Sequence, residues 1–581
     1  MQFFNVKKEK KEKKDFVNTV SNEKSDKPVL KLIAVGDGVT KNLTVYEYGN
    51  DIIAVDYGIG FPGTDDIGVD FIIPDMRYLL ENSHKVRGLI ITHAHADHFG
   101  AVPHLLKELN LPIYANKLTQ AYIQNELEEK QFKGIKDTVK YHLLDATTGV
   151  ADLGVFKVSA FNVNHSVPGS LGIVIDTPEG RIIHMADYKI DPSPILDPPM
   201  SLEQLADISK NGVLCLASDS LGSRSKGSIP SEKTLNDTFP QLFAKYPTQQ
   251  LFITTISSNI SRMYQITDAA IKAGRRVVPM GRSIDSSVKI ARSLGYLPFP
   301  DNAFVDLKKS FEYTPDTLVY LIAGCFGQKG SALDRLSRGE HRDVIIEKGA
   351  IVIFSAEPNP PGVDIDVEDV SSNLVLSGAE VIDHTNFDNL HVSGHGHRDD
   401  LFKIAMTVKP KYYVPNGGTP IQMHAYANMI CESGVERDKV FELQAGEVVE
   451  FSNGYAKKGK KIEVQDLYFD GIGVSPIVIE DRKVLSQDGV FVIIVARSLD
   501  ENGSTGSYGK IEIVTRGFIY VKEARELVGH AKTLINNLLT KNSEKSDDWG
   551  SLKFKIEKEV SRFLFKETGR KPMVIVHSIN V

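Results

Sequence analysis

The stretch Thr92-His93-Ala94-His95-Ala96-Asp97-His98-Phe99-Gly100 packs three histidines and an aspartate into six residues. Packing alone does not call for this. A buried histidine needs one hydrogen-bond partner, and three imidazoles turned to one point repel one another once protonated. Neutral imidazoles are, by contrast, good ligands for zinc or manganese. His93 and His95 alternate past Ala94 and can hold one ion together, while Asp97 and His98 point to a second. Two such ions need further ligands, including a carboxylate able to bridge them. His165, in Asn164-His165-Ser166, and Asp187, in His184-Met185-Ala186-Asp187-Tyr188, each follow a strand-like run and are the candidates.

Residues so placed need sheets to hold them. Leu30–Val35, Leu43–Tyr48, Asp51–Val55 and Val86–Thr92 are short β-rich runs broken by Gly, Asn or Asp. Phe99–Leu109 repeats apolar residues near helical spacing, with Pro103 tolerable only near the first turn. Val155–Ala160, Leu171–Asp176 and Arg181–Met185 read as more strands, so an α/β layered domain is expected. From Val213 the strand candidates Val213–Ala217, Leu251–Thr255, Arg276–Pro279, Thr317–Ala323 and Ala350–Phe354 alternate with helical runs such as Met263–Ala273 and Ser286–Leu294. That alternation implies a parallel sheet. Gly454–Lys461 is a polar, basic break. Beyond it, Lys483–Leu499 and Ser507–Val521 look β-rich, Ala524–Thr540 and Leu552–Thr568 look helical, and Met573–Val581 returns to strand.

Composition sets the limits. At 581 residues the chain is too long for one core. Its 68 basic and 75 acidic residues give −7, which excludes a surface that is polycationic throughout but not a local basic groove. The longest apolar runs, such as Val490–Ala496, are far short of the ~20 residues of a membrane span. Cys215, Cys325 and Cys431 are too scattered for a thiolate knuckle and read as reduced thiols. Residues 1–28 are polar, with Lys7–Lys14 reading KKEKKEKK, and are expected to form a disordered basic tail, not a targeting signal.

HAHADH followed by an isolated His and then an Asp resembles the metallo-β-lactamase superfamily. The order of the later segments resembles its β-CASP branch and, within it, bacterial ribonuclease J. Ala217-Ser218-Asp219-Ser220 resembles that branch's first insertion motif, with an acid at a strand end, and Val392-Ser393-Gly394-His395-Gly396 its second. The similarity continues through Lys409-Pro410-Lys411-Tyr412-Tyr413-Val414-Pro415, and resumes at Asp481–Gly489 and Thr515-Arg516-Gly517-Phe518. It covers about residues 29 to 581.

The resemblance implies an α/β fold: a metallo-β-lactamase αββα sandwich over 29–212, resumed over 373–452, with a β-CASP domain inserted at 213–372. A linker at 453–474 would lead to an α+β carboxy-terminal domain at 475–581 that supports self-association. It implies two divalent metal ions, zinc first of all, with manganese or magnesium possible at the second site. His93, His95, His165 and Asp187 would hold one; Asp97, His98 and Asp187 the other. Asp97 and His395 would be catalytic: one orients or deprotonates water, the other steadies the phosphate or protonates the leaving oxygen. Ser393, Gly394, His395 and Gly396 would meet a 5′-phosphate, with Arg262 and Arg282 as basic contacts to RNA. The implied activity is a metal-dependent ribonuclease, a 5′-to-3′ exonuclease and/or endonuclease of RNA maturation and mRNA decay, rRNA processing included. Its expected partners are single-stranded 5′-monophosphorylated RNA and either its own copies, as homodimer or homotetramer, or a ribonuclease J paralogue. No membrane partner is expected, and the expected location is cytoplasmic.

Three departures stand against this pattern. Val414-Pro415-Asn416-Gly417-Gly418 carries Asn416 where the family has the histidine of Pro-x-His-Gly, and an amide oxygen suits harder ions better than zinc. His424, on the next helix, does not replace it. Ser261 stands where a histidine is usual, and Ala323-Gly324-Cys325-Phe326-Gly327 replaces a Thr-Gly-Ser-Gln-Gly stretch. They support a second reading: a degraded paralogue serving as a weakly active RNA-binding or partner-binding subunit. Retention of every HxHxDH ligand with His165, Asp187 and His395 favours the enzyme. The carboxy-terminal match favours ribonuclease J over a DNA-processing relative.

Overall fold

Two sheets face each other across one apolar layer in the computed structural model. The first has eight strands in the order Tyr455–Lys458, Val448–Ser452, Leu30–Ala34, Thr44–Tyr48, Asp51–Val55, Val86–Ile90, Ile113–Ala115 and Tyr141–Leu143. The second has six, in the order Tyr412–Asn416, Cys215–Asp219, Gly180–Met185, Leu171–Thr177, Phe156–Asn162 and Ala151–Leu153. Leu32, Tyr46, Ile53 and Ile90 from one meet Phe156, Ile173, Ile175 and Ile182 from the other. Alternation explains the layers: in Leu30–Ala34, Leu30 and Leu32 enter this core, while Ile33 turns to the helix side. Helices close the outside, Val102–Glu108 and Lys117–Glu126 on one face and Leu202–Ser209, Arg398–Val408 and Pro420–Glu432 on the other. Pro103 sits in the first turn of Val102–Glu108, where its missing N–H costs nothing.

A separate five-stranded parallel sheet runs Arg276–Met280, Leu318–Ile322, Leu251–Thr254, Ile351–Phe354 and Glu380–Ile382. A three-stranded sheet, Thr505–Arg516, Val490–Leu499 and Met573–Asn580, packs on helices Arg525–Asn542 and Trp549–Thr568. The structure describes residues 28–36, 38–63, 65–356, 363–470, 476–499, 505–519, 525–542 and 549–580. Residues 1–27 of the expected tail and 471–474 of the expected linker lie outside the described residues.

Four expectations change. The strand expected at Val213–Ala217 to open the inserted domain is Cys215–Asp219, and it lies inside the six-stranded sheet, parallel to both neighbours. It is buried on both faces, and the run Val213–Ala217 that leads into it is apolar throughout, as in a strand of a parallel sheet, so the sequence does not reveal which sheet owns it. At the other end, Glu380–Ile382 still pairs with Ile351–Phe354, so the inserted sheet runs past residue 372. The expected linker is partly strand. Asn453 and Gly454, with φ of 52° and 74°, make the tight turn of a hairpin that adds Tyr455–Lys458 to the sandwich edge. Finally, Lys483–Gln487 belongs to helix Pro476–Gln487, and strand begins only at Val490.

Candidate active site

The apolar strand Val86–Ile90 ends against the sandwich core and releases the chain into Thr92–Gly100. There the helical turn Ala96–Phe99 starts directly after His95, so His93 and His95 precede the turn and Asp97 and His98 ride on it. His165 follows Phe156–Asn162, Asp187 follows Gly180–Met185, and Asp219 ends the neighbouring strand. Adjacent strand ends thus bring these side chains together.

The contacts are close. His95 Nδ1 lies 3.1 Å from His93 Nε2 and 3.0 Å from His165 Nε2. Asp187 Oδ2 lies 3.6 Å from His93 Nε2, 3.6 Å from His165 Nε2 and 3.3 Å from His98 Nε2. Asp97 Oδ2 is 3.5 Å from His98 Nε2. Two groups therefore converge, His93, His95, His165 and Asp187 in one and Asp97, His98 and Asp187 in the other, with Asp187 common to both. A third combination joins Asp187, Asp219 and His395. Spacings of this size suit donor atoms that would each sit about 2 Å from one ion.

Each imidazole is oriented by its other nitrogen. His98 Nδ1–H donates to Asp56 Oδ2 at 2.8 Å, and His165 Nδ1–H donates to Gly394 O at 2.7 Å. Thr92 Oγ1 gives its proton to Asp56, so at 3.0 Å it accepts from His93 Nδ1–H. In all three, Nε2 is left facing the cluster, the arrangement a metal-binding histidine needs. His95 is turned the other way round, with Nε2 3.1 Å from Ser166 Oγ and Nδ1 inward.

Charge follows the same logic. Burial, reinforced by neighbouring imidazoles, holds His93 and His165 well below the ordinary histidine range. Desolvation takes His95 down to about 4. These three carry free lone pairs at neutral pH. Burial also opposes a charge on His98, but Asp187, Asp97 and Asp56 outweigh it and raise its pKa. Asp187 stays ionised: burial would raise it, and His98 and His395 hold it well below the usual carboxylate range.

His395 reaches the cluster with Nε2 3.7 Å from Asp187 Oδ2 while Nδ1 bonds Asp219 Oδ2 at 2.7 Å. Asn416 Oδ1 is buried without a hydrogen-bond partner, and Asn416 lines a cavity of about 50 Å³ with Asn42, Asp56, His184 and Asp187. An unsatisfied buried amide oxygen beside a carboxylate fits a cation or a water as its missing partner. The donor set therefore fits divalent ions.

Other expected contacts fare differently. Arg262 is 0% exposed, bonded to Glu232, Ser355 and Leu390, so it is a core residue and not a basic contact on the RNA surface. Its chain position misled because it follows Asn259, whose side chain caps helix Ile260–Lys272 and buries that first turn, Ser261 included. Arg282 is exposed at the start of helix Arg282–Ser293, where its charge acts on Glu126. Gly396 N–H is committed to Tyr188 O at 2.7 Å, so it is not free for a 5′-phosphate. Ser393 Oγ accepts from His395 N–H at 3.2 Å, and Gly394 lies so near His165 that a Cβ would sit 2.6 Å from its ring. Asp56, Thr92, Asn42 and Ser166 belong to the site without any sequence signal; Asp56, at φ 62°, is one of few non-glycine residues in that region.

A face-to-face sandwich with helices outside, a parallel-sheet insertion and a shared-carboxylate His/Asp cluster at the strand ends define a metallo-β-lactamase-fold hydrolase of the β-CASP kind. Three family models match: metallo-beta-lactamase superfamily over residues 44–220, the ribonuclease J beta-CASP domain over 248–374, and the ribonuclease J C-terminal domain over 477–581. The chain is 33% identical to ribonuclease J2 of Bacillus subtilis, spanning 94% of this chain and 97% of that protein. It is 32% identical to ribonuclease J 1 of Streptococcus pyogenes, over 92% and 95% of the two chains. For ribonuclease J 2 of Staphylococcus epidermidis the identity is 30%, over 96% and 99%. A crystal structure of a protein of unknown function from Enterococcus faecalis V583 shares the fold, with TM-score 0.51 and 15% identity over 73% of this chain and all of that one. The chain belongs to the ribonuclease J family. It is a metal-dependent ribonuclease: it binds divalent metal and acts on RNA. Among the described residues no helix is long and apolar enough to cross a membrane.

Proposed function

We propose that the chain degrades single-stranded, 5′-monophosphorylated RNA in the 5′-to-3′ direction, with internal cuts as a second mode, using zinc held in two adjoining sites. His93, His95, His165 and Asp187 form the first, and Asp97, His98 and Asp187 the second. The observation that carries this is Asp187 Oδ2, within 3.3–3.6 Å of three inward imidazole nitrogens drawn from both sets. When bound, the ions neutralise phosphate charge and acidify water. Asp97, with its side chain 21% exposed, is the cluster carboxylate best placed to orient a water and take its proton. His395 is held protonated: burial opposes the charge, yet Asp219 and Asp187 raise its pKa to about 9. It can therefore steady a phosphate oxygen or give a proton to the leaving 3′-oxygen. Ser393 and Gly394 flank the 5′-phosphate, and Arg282 supplies a basic contact.

The same reading places the protein in the cytoplasm, consistent with three free thiols, and in a homodimer, a homotetramer or a pair with a ribonuclease J paralogue. It also takes the first part of the sandwich to end after Asp219, with the insertion running beyond Ile382 before the sandwich resumes. A second reading, a weakly active RNA-binding or partner-binding subunit, draws on Asn416, whose amide oxygen gives a second zinc less than an imidazole would. End-labelled RNAs with 5′-monophosphate or 5′-triphosphate, incubated with zinc, manganese or chelator, separate the two. The enzyme reading expects metal-dependent loss of the monophosphorylated RNA from its 5′ end; binding without cleavage under every metal condition gives the second reading.

A further inference from the structure

Buried beside the cluster is a charge network that belongs to neither metal set. Lys189 is 1% exposed, Asp191 1%, Glu232 4% and Arg262 0%. Glu232 uses both oxygens: Oε2 accepts from Lys189 Nζ at 3.1 Å, and Oε1 accepts from Arg262 Nε at 3.0 Å and Nη2 at 2.6 Å. Asp191, 3.8 Å from the same ammonium, balances the second positive charge.

Both cations also hold a carbonyl in one stretch of chain. Arg262 Nη1 donates to Leu390 O at 3.1 Å, and Lys189 Nζ donates to Ser393 O at 3.2 Å. That stretch leads straight into Gly394, whose carbonyl holds His165, and His395. The main chain at Lys189 ties in the remaining loops. Its N–H donates to Asn164 O at 2.8 Å, beside His165, and the carbonyl before it, Tyr188 O, accepts from Gly396 N–H at 2.7 Å. Lys189 is itself two residues past Asp187.

Stability is a poor explanation for this arrangement. Burying ammonium and guanidinium groups carries a large desolvation cost, and apolar residues of similar volume often serve a core equally well. What the network supplies is fixed placement: two cations sharing one carboxylate grip Leu390 and Ser393, on the approach to His395.

We propose that Lys189 and Arg262, joined through Glu232, are positioning residues that clamp the 390–396 segment and so aim His395 at the scissile phosphate. The clamp acts through the Leu390 and Ser393 carbonyls, and the inference rests on the reading of His395 as a catalytic group. Lys189→Met removes the donor to Ser393 while leaving Glu232 paired with Arg262. Misplacing a catalytic group by an ångström costs on the order of a hundredfold, so kcat falls by about that factor while KM stays within about twofold. Lys189→Arg, which keeps charge and donors, recovers part of that loss. Rates are divided by the folded fraction from calorimetric unfolding. Wild-type kcat per folded molecule in Lys189→Met overturns the clamp.

If Lys189→Met does not accumulate folded, Lys189→Arg and Arg262→Lys carry the same test: reduced kcat at constant KM supports the clamp, and wild-type kcat in both overturns it. Should the wild type cleave no RNA, the catalytic reading of His395 fails, and crystal structures decide the clamp. There, displacement of His395 from Asp219 in the Lys189 variant supports it, and an unchanged His395–Asp219 bond overturns it.

Discussion

His395 Nδ1–H donates to Asp219 Oδ2 at 2.7 Å, which fixes the imidazole of the Val392–Gly396 loop to the end of strand Cys215–Asp219. Two segments 176 residues apart thereby complete one site. The bond leaves Nε2 facing Asp187 and keeps a proton on a ring that burial would otherwise strip. Asp219 itself is raised by burial, against the pull of His395.

Replacing Asp219→Asn keeps the shape and one hydrogen-bond acceptor but removes the charge. The expected outcome is a fall in kcat of about 10²–10⁴, the usual worth of general acid catalysis, with metal content unchanged. Single-turnover cleavage and metal analysis on the same preparation check it. A wild-type rate would remove His395 from the proton-transfer role.

Arg262→Ala is expected to destabilise the fold by about 3–5 kcal/mol, because it strands Glu232 in the core with one partner fewer. Urea unfolding measures this. Among molecules that remain folded, the salt dependence of RNA affinity stays unchanged, whereas Arg282→Ala lowers the log–log slope by about 1 if Arg282 meets a phosphate. A reduced slope in the Arg262 variant would return that residue to the RNA surface.

Glu232 makes a prediction about pH. Burial would raise its carboxyl, but Arg262 and Lys189 outweigh that and lower it to about 2. A depressed folded pKa contributes stability that is fully present above the unfolded value of about 4.3. It is lost as pH falls through the folded value. The contribution is about 3 kcal/mol. Unfolding midpoints of the wild type and Glu232→Gln should differ most near pH 5 and converge toward pH 2. A gap independent of pH would show that Glu232 does not carry its charge into the fold.

Asn416→His tests the second site. An imidazole in place of the unpartnered amide oxygen should tighten binding of a second divalent ion, and a gain of ~1.4 kcal/mol is tenfold in affinity. Calorimetric titration of metal-free protein reads this without reference to catalysis. Tighter binding need not speed cleavage, since only interactions stronger in the transition state do so. Two equally tight ions in both proteins would mean Asn416 is not the weak ligand.

The metal cluster was legible because its chemistry is local. HxHxDH is contiguous, and His165 and Asp187 each stand just past a strand whose end is set by its own apolar run. Asp56 and Thr92 were not legible: their role is a hydrogen bond that exists only once Asp51–Val55 and Val86–Ile90 pair. Lys189 gave no signal either, since a lysine next to a motif reads as solvent-facing until the fold surrounds it. Arg262 shows the reverse error, a basic residue assigned to the surface by its type when a capped helix start had buried it. The apolar run Val213–Ala217 announced a strand here, but not its owner, because an apolar run of this kind fits either sheet. Asn453-Gly454 did carry a hairpin signal, which the lysines after it obscured.

RNA hydrolysis by the His/Asp cluster is expected to require bound metal. The direct measurement is cleavage of a 5′-monophosphorylated, end-labelled RNA by wild-type and His95→Ala protein, each stripped of metal and then given zinc or manganese. His95 lies between His93 and His165 and contributes little to the apolar core, so the variant should fold. Stripped wild type should be inactive and recover with metal, while His95→Ala should stay inactive in every condition with its unfolding midpoint preserved. Wild-type cleavage by stripped His95→Ala protein would contradict that requirement.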